Sequence, residues 1–212
     1  RRPLTREPEL MEDYAYVLEF FPQGFPLDKH PEHKNRPMAQ VLGEKYFMLL
    51  EVAPRRGIHL VVGEKVYIGP GFRPKVQYIY GRIEYEDLSL GAKDEIPRIV
   101  DKIVRENERV FVEFFNIAEP ITLKLHSLEL LPGVGKKITK ILLEERVKKR
   151  FSSFQDLSSR VKISDPAKII RDRIIAELMG GEKYYLFVKP PPGKPGKYLG
   201  YLPRLYRRVK SV

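Results

Sequence analysis

The sequence predicts an α+β chain of several domains: a small N-terminal β-barrel, an all-α domain of paired helices and a basic C-terminal tail. Three observations predict it. Strand-like alternation dominates early in the chain and helical spacing later. Pro120 stands where one pattern gives way to the other. The net charge of +11 is uneven: residues 1–119 sum to −2, residues 121–181 to +6 and residues 182–212 to +7. The expected divisions are 1–119, 120–181 and 182–212.

In the first part, Tyr14–Phe21 (YAYVLEFF) alternates aromatic and aliphatic residues and stops at Pro22 and Gly24, as a strand does. Residues 21–37 are proline-laden and polar, hence a loop. Met38–Arg55 reads as one long strand or a strand pair, with Gly43 as a bulge or kink. His59–Gly69 turns at Gly63-Glu64 between two apolar runs. Lys75–Leu88 alternates, with Val76, Tyr78 and Tyr80 set against Gln77, Ile79 and Gly81. Ala92–Asn107 changes to helical spacing, with Ile96, Ile99, Val100, Ile103 and Val104 on one face. Glu108–Ile117 (ERVFVEFFNI) returns to strand. Short strands with glycine kinks, and a helix before the last of them, suit a closed barrel, because closure removes exposed edges.

The second part reads as helical: Ile121–Leu131, Lys136–Arg150, Ser152–Val161 behind serine caps, and Asp165–Met179. Asp165 as N-cap, Pro166 as first helical residue and Gly180-Gly181 as the stop delimit the last of these. In the third part Tyr184–Val188 is a strand expected to pair back onto the barrel. A stiff Pro/Gly/Lys linker follows, then an end that interleaves Tyr198, Tyr201 and Tyr206 with Arg204, Arg207, Arg208 and Lys210.

Composition excludes whole classes. There is no cysteine, so disulfides and thiolate metal sites are out. No apolar run approaches the roughly 18 residues of a membrane span, and residues 1–10 carry no signal-peptide pattern. A cytoplasmic monomer is the expectation. Position 1 is Arg, so the natural start is expected upstream. Abundant Glu, Lys and Arg lean towards a thermophile. The basic C-terminal side points to a polyanion, and a solubilising tail is the bland alternative.

The most informative stretch is Leu128–Arg146, LELLPGVGKKITKILLEER. Pro132-Gly133-Val134-Gly135 turns the chain, and Lys136 and Lys137 occupy the first turn of the next helix. The first N–H groups of a helix lack internal partners and its dipole is positive there, so a glycine-rich turn at that point is a phosphate site. Cations at that end cost the helix about 0.3–1 kcal/mol each, which a bound phosphate would offset. These residues resemble the helix-hairpin-helix motif, whose members bind DNA, and in cases RNA, through backbone N–H contacts to phosphate. The resemblance implies Gly133, Gly135 and Lys136 as contacts, with Val134, Lys137 and Lys140 beside them. Thr139 departs from the small residue, usually Ala, common there. Residues 121–181 are similar to a tandem helix-hairpin-helix domain. Its second hairpin would be Arg160–Leu178, where Ile163-Ser164-Asp165-Pro166 replaces the glycines and leaves a structural element. The strand-rich part is similar in pattern to an oligonucleotide/oligosaccharide-binding (OB) barrel. The whole layout resembles an archaeal family of uncharacterised proteins with a small β-barrel ahead of a helix-hairpin-helix domain.

The expected function is non-enzymatic, sequence-independent binding of DNA or RNA, with Arg204, Arg207 and Arg208 of the tail adding contacts. No cofactor and no metal is expected. His30 and His33 flank a proline in a loop and lack an obvious third ligand, and His59 and His126 are isolated. Lys137 and Asp156 stand near positions that carry catalysis in helix-hairpin-helix DNA glycosylases. The β-rich first part and the short helical stretch do not suit that fold, so Asp156 is read as a surface or capping residue. Phe72, Tyr78, Tyr80 and Tyr85 are barrel aromatics that stack bases or fill a core, with Arg73 and Lys75 beside them. Glu84–Asp87 is too small a cluster for two-metal chemistry. The alternative function is a protein-interaction adaptor using the hairpin domain, and behind it a nuclease or glycosylase.

Overall fold

A computed structural model describes residues 9–211, and the chain divides after Lys93 into two units. In the first, five strands form one antiparallel sheet: β1 (Tyr14–Phe21), β2 (Met38–Gly43), β3 (Leu49–Pro54), β4 (Lys65–Tyr67) and β5 (Val76–Arg82). They pair in the order β4-β1-β2-β3-β5. Ala15 and Val17, Ala39 and Val41, and Leu50 and Val52 lie two apart on their strands, so each pair shares a face. With Leu60, Val66, Ile68 and Val76 they make one buried cluster. Register shifts at Val17/Glu19, Glu51/Val52 and Ala53/Pro54 bend the strands and curl the sheet. They also spoil the expected alternation of β5, where Tyr78 is exposed and Tyr80 half-buried.

The expected backbone closure is replaced by side-chain links. Strands β4 and β5 share no ladder among the described residues, because β4 is only three residues long. Arg73 Nε donates to the carbonyls of Ile68 (3.1 Å) and Gly69 (2.8 Å), and Lys75 pairs with Glu64 at 2.6 Å. Met38–Pro54 is a strand pair, but Gly43 is not its bulge. A Cβ at Gly43 would stand 1.4 Å from the buried Glu12 carboxylate, whose Oε1 accepts the N–H of Tyr46 at 2.7 Å.

Helix α1 (Leu90–Glu106) runs across the division. The second unit continues with α2 (Glu108–Ile117), β6 (Pro120–Thr122), β7 (Leu125–His126), α3 (Lys136–Lys148), α4 (Phe154–Arg160) and α5 (Pro166–Met179). It ends with β8 (Tyr184–Tyr185), β9 (Lys197–Tyr198) and α6 (Tyr201–Lys210). The strand expected at Glu108–Ile117 is therefore α2. Val110, Phe111, Phe114 and Phe115 are all buried, and their spacing is one helical stripe. With α2 helical, no strand follows the first helix within the sheet, and residues 94–119 belong with the helical unit. The helix expected at Ile121–Leu131 is a short hairpin, β6–β7, followed by one 3-10 turn over Ser127–Leu130. Leu123 is fully exposed at the hairpin tip, so no apolar face holds a longer helix. His126, which gave no signal in the sequence, accepts the Leu128 N–H at 3.1 Å and caps that turn.

Tyr184–Val188 does not join the first sheet. Strand β8 pairs in parallel with β9. The N–H groups of Leu186, Phe187 and Val188 all donate to the buried Glu177 carboxylate at 2.8–2.9 Å, with Arg173 2.7 Å away. The C-terminal end is a helix rather than an extended tail. Tyr201, Leu202 and Leu205 are buried, and the Tyr201 ring meets Phe114 edge-on at 5.0 Å. Pro203 sits in the first turn of α6, where a missing N–H costs nothing.

Candidate nucleic-acid interface and a buried histidine–carboxylate cluster

The turn ahead of α3 forms for local reasons. Leu128 and Leu131 are buried, and Val134 donates its N–H to the Leu131 carbonyl at 3.1 Å while its side chain is buried. Gly133 takes φ +74°, the left-handed region that side chains disfavour. Gly135 is the N-cap of α3, and no side chain caps this end. The N–H groups of Lys136, Lys137 and Ile138 therefore lack a helical partner. A Cβ added at Gly133 or Gly135 would meet nothing within 4 Å, so the space before these groups is open.

The three lysines differ. Lys136 Nζ lies 2.9 Å from the Glu129 carboxylate and donates to the Lys124 carbonyl, so its ammonium has partners within the chain. The His126 N–H, then Lys136, hold the Glu129 carboxyl below the ordinary carboxylate range. Lys140 stands 4.0 Å from Glu144 in an exposed pair. Lys137 is exposed and makes no ion pair among the described residues. Thr139 is buried with its hydroxyl unpartnered.

The start of α5 is built the other way. Asp165 accepts the Lys168 N–H at 3.2 Å and pairs with Arg105 at 3.2 Å. Asp156 accepts the Ser152 N–H at 3.0 Å and pairs with Arg160 at 3.0 Å, which makes it a capping group at the surface. Arg204 pairs with Glu119 at 2.9 Å, and Arg208 reaches Glu113 at 3.2 Å beside Arg150. Arg207 and Arg208 line two shallow clefts with these groups. Elsewhere, the exposed Phe72 ring lies under Arg55 at 4.8 Å, and Lys93 lies over Tyr85 at 5.3 Å.

In the first unit the structure gathers what the sequence left scattered. His30 and His33 meet Asp28 and Glu51, with one ligand atom from each residue within 4.8 Å of all the others. His33 is buried, and the carboxylates of Asp28 and Glu51 stand beside the two histidines. Burial, then the neighbouring Asp28, push the Glu51 carboxyl up to about 8, while Asp28 is held below the ordinary range. Sequence spacing does not reveal the cluster, because Glu51 lies on β3 and is brought to the loop only by strand register. His-Pro-Glu-His was its one signal.

A curled five-stranded antiparallel sheet joined to a helical unit defines a mixed α+β protein. The chain belongs to the family described as "Protein of unknown function (DUF655)", which it matches over residues 11–189. It is 43% identical over 191 residues to the uncharacterised protein MJ0038 of Methanocaldococcus jannaschii, covering 89% of this chain and 85% of that one. It is also similar to the crystal structure of Af1531 from Archaeoglobus fulgidus, with a TM-score of 0.75 and 49% identity, covering 84% of this chain and 100% of that one. Among the described residues, no helix is long and apolar enough to cross a membrane.

Proposed function

We propose that this protein binds nucleic acid through the sugar–phosphate backbone, without sequence preference and without chemistry. One observation carries the reading: α3 begins at an open glycine turn with no cap of its own, beside Lys136, Lys137 and Lys140. Oriented N–H groups and a positive helix end favour a phosphate oxygen there. The turn and α3 correspond to the glycine hairpin and second helix of a helix-hairpin-helix motif, with a 3-10 turn in place of its first helix. The strand order β4-β1-β2-β3-β5 supports an OB-like, partly open barrel for the first unit. Helix α6 presents Arg204, Arg207 and Arg208 on its solvent side as further backbone contacts.

The test is fluorescence anisotropy with labelled single- and double-stranded DNA and RNA over a salt series. Wild type is expected to bind with an affinity that falls steeply as salt rises, because bound cations are released from the polyanion. Lys136→Ala/Lys137→Ala should flatten that slope. If wild type binds none of the four at low salt, the reading is wrong, and a partner protein becomes the object of search.

A further inference from the structure

The loop between β1 and β2 carries Asp28, His30 and His33, and β3 carries Glu51. His33 Nδ1 stands 3.3 Å from Asp28 Oδ2 and 3.3 Å from Glu51 Oε1. His30 Nδ1 stands 3.2 Å from Asp28 Oδ1 and 3.9 Å from Glu51 Oε1. A tetrahedral zinc ion with Zn–N and Zn–O bonds of about 2.0–2.1 Å needs its donors roughly 3.3–3.4 Å apart. Three of these contacts are already close to that spacing, and one ligand atom from each of the four residues lies within 4.8 Å of all the others. We propose that Asp28, His30, His33 and Glu51 form a zinc-binding site that ties the β1–β2 loop to β3.

Three further features support a built site. The side chains of Asp28, Glu51 and His33 are 3%, 2% and 6% exposed, so two carboxylates and an imidazole are taken out of water together. Such a set is costly unless a cation or protons neutralise it. Its ligands are oriented from behind, as metal ligands are. The His30 N–H donates to Asp28 Oδ1 at 2.7 Å, and the His33 ring lies against Tyr80 at 4.1 Å. Gln40 reaches Glu51 at 3.5 Å, and its own amide is fixed by Asp87 O at 3.0 Å and Ser89 N at 2.9 Å. Finally, a cavity of about 280 Å³ lined by His30, His33, Glu51 and Tyr80 gives an ion a way in.

The donor set favours a transition ion, and zinc among them takes four such ligands in a tetrahedron. Two imidazoles and two carboxylates suit zinc, whereas magnesium and calcium select oxygen ligands and higher coordination. Four protein ligands complete a tetrahedron, so the ion is structural and not a catalyst with an open position.

The full-length, tag-free chain should be stripped with a chelating resin and titrated with zinc against a chromophoric chelator, with metal content read by mass spectrometry. Wild type is expected to hold one zinc per chain and to melt at a higher temperature with zinc than with chelator. His30→Ala and Glu51→Gln should each weaken zinc by at least about tenfold and abolish the melting shift. His30 is half exposed, so its variant keeps the fold, which circular dichroism verifies. Cobalt in place of zinc should give the intense visible bands of a four-coordinate ion. Substoichiometric zinc in wild type, zinc binding unchanged in both variants, or a six-coordinate cobalt spectrum would each overturn the assignment. None of these readings depends on nucleic-acid binding.

Discussion

Helices α3 and α5 start alike in outline and differ in chemistry. Each follows a short turn, and each begins with N–H groups that need an acceptor. At α5 the chain supplies the acceptor itself: Asp165 takes the Lys168 N–H, and Arg105 balances its charge. At α3 the cap is Gly135, which has no side chain, and the next two residues are lysines. A helix end that is self-capped gains stability and has no use for an anion. One left open beside cations gives up stability and keeps a place for one. A helix start thus serves as a structural joint at α5 and as a candidate binding site at α3.

The largest expected effect comes from making α3 resemble α5. Gly135 has φ −97° and ψ −165°, which any residue adopts, and open space lies in front of it. Gly135→Asp should therefore cap α3 and stabilise the fold by a few tenths of a kcal/mol, since Gly is itself a tolerated cap. The same carboxylate would occupy the phosphate position and repel the ligand, weakening nucleic-acid binding by roughly tenfold or more. Thermal melting and anisotropy on one sample check both halves. Unchanged affinity would remove the start of α3 from the interface. A fall in both quantities would mean a damaged turn. The reverse change, Asp165→Ala, should cost about 1 kcal/mol in a denaturant melt and leave affinity alone. If affinity fell with it, the start of α5 would also be a contact.

A smaller effect sharpens the role of Lys136. Its ammonium lies 2.9 Å from Glu129, so part of the local charge is spent inside the chain. An exposed pair of this kind is worth about 0.2–1 kcal/mol. Glu129→Gln should free Lys136 and tighten binding by roughly two- to fivefold, with a steeper salt dependence. No change would show that the Glu129 carboxylate does not hold Lys136 back, and that Lys136 adds no charge to the interface.

Some of this was legible in the sequence, and the pattern of what was not is physical. Tyr14–Phe21 and Asp165–Met179 read correctly because their signals are local: period-two alternation in one, and Asp, Pro and Gly-Gly punctuation in the other. Glu108–Ile117 was misread because Val110, Val112 and Phe114 alternate as well as they stripe. The contacts that decide for a helix, Phe114 against Phe187 and Tyr201, come from more than seventy residues downstream. The C-terminal helix is hidden by Pro203 and by burial against α2. Gly133 to Lys137 could be found because turn and helix start are contiguous. The pairing of Lys136 with Glu129 could not, since it depends on a 3-10 turn that reads as helix. Glu51 joins Asp28, His30 and His33 only through strand pairing, which no spacing in the chain reveals.

The finest test of the comparison uses pH. Burial opposes ionisation of Asp165, but the Lys168 N–H and the Arg105 guanidinium outweigh it and hold the carboxyl below the ordinary range. A carboxyl depressed in the folded state adds stability above its unfolded pKa of about 3.9, and loses it as pH falls through the folded value. The difference in stability between wild type and Asp165→Asn should therefore be constant above about pH 5 and shrink on acidification. Gly135 carries no such group, so the start of α3 adds no acid-labile step of this origin. Gly135→Asp should install one, and its stability advantage over wild type should fade in the same acid range. Chemical denaturation of the three proteins across pH 3–7 would measure both differences. A gain at position 135 that persists in acid would mean that the new side chain stabilises the turn by something other than a charged cap, and the likeness between the two helix starts would not extend to their electrostatics.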